Sequence, residues 1–496
     1  MRNESKCELI STNAKTQEAI IEKFTRKIII KCAGFWALFL AAMLLWGLPL
    51  RAVEKKTFEY EIEGKKERGE YVLGSRLYPI PKVRKPEKLK PLMDPTFHIK
   101  ITRVTDKQID GYQKKWKSMK NEYAKADPEN CDGSYVVLTM GEYYWLIYET
   151  KNWTIFRHLN KYDGGKIKPG AIEPRWHVED PNILYYRLGR ALYRYKVREG
   201  KSEVVHDFTK YIPDAESKRA WIATKTEGTP SYDCRYWAFT VARAGPCMLC
   251  YDMKENKVVS KLMEPAGDSI SMSPSGKWVF TARGTTRYKR DFAEPLKLCP
   301  YHRMNHGDIA IDAEGNEVFI HQCPDDWITM YDFKTGKTTR LISMIHDSNW
   351  KDYTWKTPEG KRLIKSFHIS GNCYATPGWV LISTTGEGGR VARNWQAKSL
   401  YMLELKGNPR IWRIAHTHCI SRNYRESVFA TINTRGTRIY FGSNWDNPGD
   451  GIETYIAELP VNWYEDLMGN AKARELREKA ARLLGTTVEE LVGKKE

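Results

Sequence analysis

No stretch of this 496-residue sequence interleaves a run of basic residues with aromatics, so nothing in it reads as a nucleic-acid motif despite a net charge of +19. Its Lys and Arg are dispersed. No Gly-x-Ser-x-Gly elbow is present, which excludes a hydrolase domain built on that turn. The glycine-rich segment Gly386-Glu387-Gly388-Gly389-Arg390 is followed by neither a helical pattern nor Lys-Ser/Thr, and reads as an inter-strand loop. Long apolar runs are scarce too. The exception, residues 32–50, is uncharged, follows Arg26, Lys27 and Lys31, and precedes Leu50-Arg51-Ala52, which resembles a small-residue cleavage site.

That exception predicts export. Residues 1–52 are expected to act as a signal peptide, with a signal anchor of marginal spanning length as the alternative, because the region ahead of the apolar run is long for a cleaved signal. The expected location is periplasmic, extracellular or membrane-anchored on the outer side, and a membrane partner follows only if the leader is uncleaved. Eight of the ten cysteines lie beyond the leader, an even number in a compartment that permits disulfides, with no connectivity legible. Cys247 and Cys250 form a Cys-x-x-Cys within a strand-like run. An offset of three on a strand turns the two side chains to opposite faces, which favours a structural role over a redox one.

What is abundant points to strands. Aromatics reach 12%, with 17 Trp and 28 Tyr, and flat rings pack well on a pleated surface. The positive balance suits an anionic partner such as an acidic oligosaccharide, against the plainer reading of a solvated basic surface. Residues 53–95 are rich in Lys, Glu and Pro, with prolines too frequent for a helix or a central strand, and are expected to form an extended linker. Residues 97–104 then alternate apolar with polar side chains as a single half-buried strand does.

From residue 131 to residue 460 a unit repeats. Its clearest copy is a strand, the turn Ser273-Pro274-Ser275-Gly276, and a second strand from Lys277 through Trp278 to Thr281. Asp312-Ala313-Glu314-Gly315 and Asn433-Thr434-Arg435-Gly436 occupy the same place in later copies. Seven four-stranded units predict an all-β fold, a seven-bladed β-propeller spanning residues 96–460, whose last blade is completed by the N-terminal strand at 97–104. Residues 461–496 form a C-terminal helical tail. A monomer is expected.

The repeat carried by Ser273 to Thr281 resembles the Ser-Pro-Asp-Gly-type repeat of the propeller in the Tol translocation system. The whole-chain layout is similar to that of the oligogalacturonate lyases, seven-bladed enzymes that cleave acidic pectin fragments by β-elimination. The resemblance implies a divalent metal, Mn or similar, held by His and Gln side chains, with a further His removing the proton.

Innermost strands start near the axis of a propeller, so the residues at those starts line one pocket. They are Glu173, Arg175, Glu227, Thr229, Asp268, His306, Asp308, His368, Arg425 and Glu426, with His416 and His418 leading towards the last blade. Elimination on a uronate needs a cation for the carboxylate, a base for the C5 proton and an acid for the leaving oxygen. Arg175 or Arg425 would grip the carboxylate with a planar fork, and His306 would be the base. His368, His416, His418 and Gln322 are the expected metal ligands. Trp176, Trp395 and Trp445 are candidates for stacking on sugar. The competing expectation is a non-catalytic propeller that binds a carbohydrate or a protein partner, with the ring as a polar hub.

Overall fold

The recurring turn sets the blade geometry. Ser273 N–H donates to the Trp278 carbonyl at 2.8 Å and Gly276 N–H returns to the Ser273 carbonyl at 2.9 Å, with Gly276 at φ +68° in the left-handed region that glycine enters without penalty. Gly315 and Gly436 close the equivalent turns at φ +89° and +70°. In the computed structural model, residues 56–111, 118–141, 143–160, 166–168, 170–213, 219–300, 306–323, 327–343, 364–386 and 394–493 are described. The leader at 1–52, His302 and His346 lie outside them.

Seven antiparallel sheets follow in chain order. Their innermost strands are Met119–Lys120, Arg175–Trp176, Trp221–Ala223, Ile270–Met272, Gly307–Ile311, Ile364–Ser370 and Thr431–Ile432, for blades one to seven. The apolar clusters lie between consecutive blades: Ile320, Ile328 and Met330 of blade five meet Phe367, Ile382 and Tyr401 of blade six. Blade seven is completed by the N-terminal strand Lys100–Arg103, paired with Glu453–Glu458 from Lys100 opposite Glu458 to Arg103 opposite Tyr455. Ring closure is thus as expected.

The segment at 53–95 is more structured than an extended linker. Thr57–Ile62 and Lys65–Glu70 form a hairpin, and Phe58 is buried in the core of blades six and seven. Pro91–Met93 adds a fifth strand to blade seven, at the sheet edge where a residue without an N–H is tolerated. The prolines argue against a central strand, and an edge strand avoids that objection.

Three terminal helices follow, Trp463–Met468, Asn470–Leu484 and Val488–Val492. Ala480, Ala481, Leu484 and Leu491 pack on Ile311 and Ala375, where the inner strands of blades five and six finish. The tail therefore covers one mouth of the axis, and the opposite mouth, where inner strands start, is left for a site. Among the described residues no helix is long and apolar enough to cross a membrane. None of the eight cysteines of the propeller is joined in a disulfide. Cys247 packs between blades two and three and Cys250 between blades three and four, on opposite faces of one strand as the offset of three requires.

Candidate functional site

His306 immediately precedes the inner strand of blade five and His368 lies within that of blade six, so two adjacent blades deliver two imidazoles to the axis. The rings meet edge to face with centroids 4.2 Å apart. Burial, with help from Lys125 and His321, pushes His306 down to about 3, and burial holds His368 well below the ordinary imidazole value. Both rings are neutral at pH 7. Tyr123, Tyr424 and Phe429 pack around His368, with centroids 5.4, 5.9 and 4.6 Å away. Tyr424 donates its hydroxyl hydrogen to the Tyr123 hydroxyl at 3.0 Å.

Those aromatic rings form part of the wall of a cavity of about 560 Å³. Glu122, Thr139, Tyr143, Trp145, Glu227, Asp268 and Arg425 complete most of it. Neither imidazole is among its walls. Two of the carboxylates on the cavity wall are paired: Lys125 Nζ lies 2.5 Å from Glu227, and Arg175 lies 2.6 Å from Glu122. Burial nonetheless raises the Glu122 carboxyl to about 7, with Arg175 pulling against it. Asp308 is likewise pushed up to about 7 by burial, while its Oδ2 accepts the Gly371 N–H at 2.7 Å.

The expected catalytic and metal residues are scattered. Arg175 is buried, and besides Glu122 its guanidinium donates to the carbonyls of Pro174, Thr226 and Gly228, so it braces the ring and presents no open fork. Arg425, exposed on the short 3₁₀ turn Tyr424–Glu426, does line the cavity. His416 ends the outermost strand of blade six, Ile411–His416, and packs on Phe97. His418 is bonded to Asp446 at 2.8 Å and stacked on Trp445. Both sit on the outer side because the chain still has to cross from the outer strand of blade six to the inner strand of blade seven. Gln322 is at the end of the second strand of blade five, where its N–H holds the His306 carbonyl at 2.9 Å.

His306 and His368 thus meet without His416, His418 or Gln322. Among the described residues, the one trio of His, Cys, Asp or Glu side chains close enough to share an ion is Cys299, His321 and Cys323, none of them an expected ligand and none on the cavity wall. The expected manganese-type ligand set does not fit the axis. Trp176, Trp395 and Trp445 are core residues, 9%, 4% and 5% exposed. The Trp and Tyr rings that do face the cavity are Tyr123, Tyr143, Trp145 and Tyr424. Glu122, Tyr123 and Lys125 escaped notice because the inner strand before them, Met119–Lys120, is too short to show periodicity. For Cys299, His321 and Cys323 one signal existed: a His and a Cys two apart on a strand share a face.

No family profile matches the chain, and no curated protein matches it. Among solved structures, an oligogalacturonate lyase from Vibrio parahaemolyticus aligns with a TM-score of 0.50 at 10% identity, covering 75% of this chain and 97% of its own. A second structure, described as an oligogalacturonate lyase in complex with manganese, aligns with a TM-score of 0.49 at 14% identity, covering 79% and 98%. The seven-bladed fold is shared with the oligogalacturonate lyases, and at such identity the likeness speaks to the fold alone.

Proposed function

We propose that this chain is an exported propeller that binds an oligosaccharide in the axial cavity at the mouth opposite the helical tail. The observation that carries the reading is the cavity wall. Tyr143, Tyr123 and Tyr424 offer ring faces and edges, and Asp268 and Arg425 offer charged hydrogen-bonding groups among them. Sugars need that combination, with apolar C–H faces on rings and hydroxyls on planar polar groups. Export rests on the apolar leader at 32–50. The acidic class of sugar is supported by the net charge of +19 and by Arg425 at the wall.

A second reading, β-elimination with His306 as base, is favoured by one observation. His306 Nδ1 is buried and has no hydrogen-bond partner among the described residues, while its ring lies edge to face with the cavity-lining Tyr424, centroids 6.0 Å apart. A neutral imidazole with an idle nitrogen can accept a proton, but the burial that holds His306 down to about 3 makes it a weak base until substrate or movement relieves that burial.

Calorimetric titration with neutral and uronic-acid oligosaccharides tests the binding reading. Saturable binding is expected, weakened about tenfold by Tyr424→Ala, or roughly 1.4 kcal/mol. No binding to any sugar of the panel would overturn it. Incubation with oligogalacturonate, with and without Mn²⁺, tests elimination: ultraviolet absorbance of an unsaturated product that vanishes in His306→Ala would make the chain an enzyme, and no rise leaves the binder.

A further inference from the structure

The segment joining blades four and five leaves the outer strand Leu296–Lys297, passes through Cys299 and arrives at His306. The second strand of blade five, Glu317–Gln322, carries His321 near its end, and Cys323 follows on the same face two residues later. Cys299 and His321 are 0% exposed and Cys323 is 2% exposed. Ligand atoms of the three all lie within 4.8 Å of one another, with Cys323 Sγ 3.6 Å from His321 Nδ1. The Tyr331 hydroxyl touches both sulfurs, at 3.1 Å from Cys323 and 3.4 Å from Cys299. The thiols are not joined as a disulfide.

We infer that Cys299, His321 and Cys323 form a structural site for a soft, thiolate-seeking metal ion such as Zn²⁺, distinct from the axial cavity. Two sulfurs and an imidazole are the donors of zinc or cuprous sites, whereas carboxylates, carbonyls and water suit manganese or calcium. Ligands on a tetrahedral Zn²⁺ at about 2.0–2.3 Å sit about 3.3–3.8 Å apart, so closure on the ion needs movement of about 1 Å. On binding, Cys299 and Cys323 each release a thiol proton to water and His321 enters neutral. The Tyr331 hydroxyl then donates to a bound thiolate, a support that commonly orients such ligands. Phe280, Phe319 and Phe333 belong to the same apolar cluster, which keeps substrate from the ion, and one enclosed water would complete the tetrahedron beside the three protein donors. Its role is therefore to tie the end of blade four to blade five. Gln322, between two of the ligands, holds the His306 carbonyl, so the ion also fixes the place where His306 emerges.

The test uses the full chain purified under reducing conditions without chelators. Elemental analysis is expected to find one zinc per chain. Replacing it with Co²⁺ alone should give sulfur-to-cobalt charge-transfer absorption in the near ultraviolet and the strong visible bands of a tetrahedral ion. Cys299→Ser and Cys323→Ser should lose the metal, and His306→Ala and His368→Ala should keep it. The cobalt spectrum of the unsubstituted chain decides the matter even if the serine variants fail to fold. Cobalt bound without charge transfer, the absence of stoichiometric zinc and cobalt, or a Cys299 to Cys323 disulfide found by mass spectrometry would each overturn the site. Oligosaccharide titration reads the axial cavity separately, so the two proposals fail independently.

Discussion

The Asp308 carboxylate accepts the Gly371 N–H at 2.7 Å, and that bond links the inner strand of blade five to the turn that ends the inner strand of blade six. Asp308 is buried, and its folded value of about 7 exceeds the ordinary carboxylate value. Between pH 4 and 7 the folded chain thus retains a proton that the unfolded chain releases. Its contribution to stability is full below about pH 4 and falls as pH rises towards 7, at roughly 1.4 kcal/mol per unit. Asp308→Asn keeps an acceptor oxygen and removes the titration. Denaturant titrations should therefore show the variant gaining on the unsubstituted chain between pH 5 and 8.

Gly371 has no room for a side chain. A Cβ there would lie 2.1 Å from the Ile309 carbonyl oxygen, and one at Gly228 would lie 1.9 Å from that of Ile270. Both obstacles are backbone and cannot rotate aside. Gly371→Ala and Gly228→Ala should each destabilise by about 1–3 kcal/mol or more, seen as a lowered melting temperature.

The buried imidazole of His306 acts on stability in the opposite sense to Asp308. Its folded value of about 3 lies below the unfolded value, so between pH 6.5 and 3 the unfolded chain binds a proton that the folded chain refuses. Stability falls as the pH drops through that window. His306→Gln should flatten the slope by roughly 1.4 kcal/mol per pH unit, whereas Asp308, Glu122 and Asp127 act oppositely in both proteins and cancel in the comparison. Chemical denaturation at pH 7, 6 and 5 measures the difference.

Arg175 is expected to matter for stability before binding. Arg175→Ala leaves Glu122 buried without its cation and should cost on the order of 3–5 kcal/mol, with Glu122→Gln restoring part of the loss. A variant that loses sugar binding at undiminished stability would instead make Arg175 a substrate clamp.

The blades were legible because each repeat carries its own turn: Ser273 to Gly276 predicts a strand pair from local chemistry alone. His306 and His368 were legible as axial residues for the same reason, since each adjoins or lies in a recognisable inner strand. His416 and His418 misled because adjacency in sequence to blade seven is not adjacency to its inner strand, which begins only at Thr431 after the Tyr424–Glu426 turn. Tyr123 and Lys125 left no trace, as their position depends on a two-residue strand and on Glu227 from another blade. The pairing of Arg175 with Glu122 was hidden similarly: a sequence shows a cation's charge but not whether a partner already neutralises it.

Pairing of Lys100–Arg103 with Glu453–Glu458 joins the first strand of the ring to its last. The bond between them cannot form until the final blade has emerged from whatever makes or moves the chain. A nascent polypeptide must therefore carry an unpaired N-terminal edge throughout, and only the arrival of the last strand shuts it. Loop-closure entropy grows slowly with length, so the cost of waiting lies in the exposure of that edge to other chains rather than in the final closure. Timing of release, as much as sequence, would then decide whether this ring closes on itself or on a neighbour.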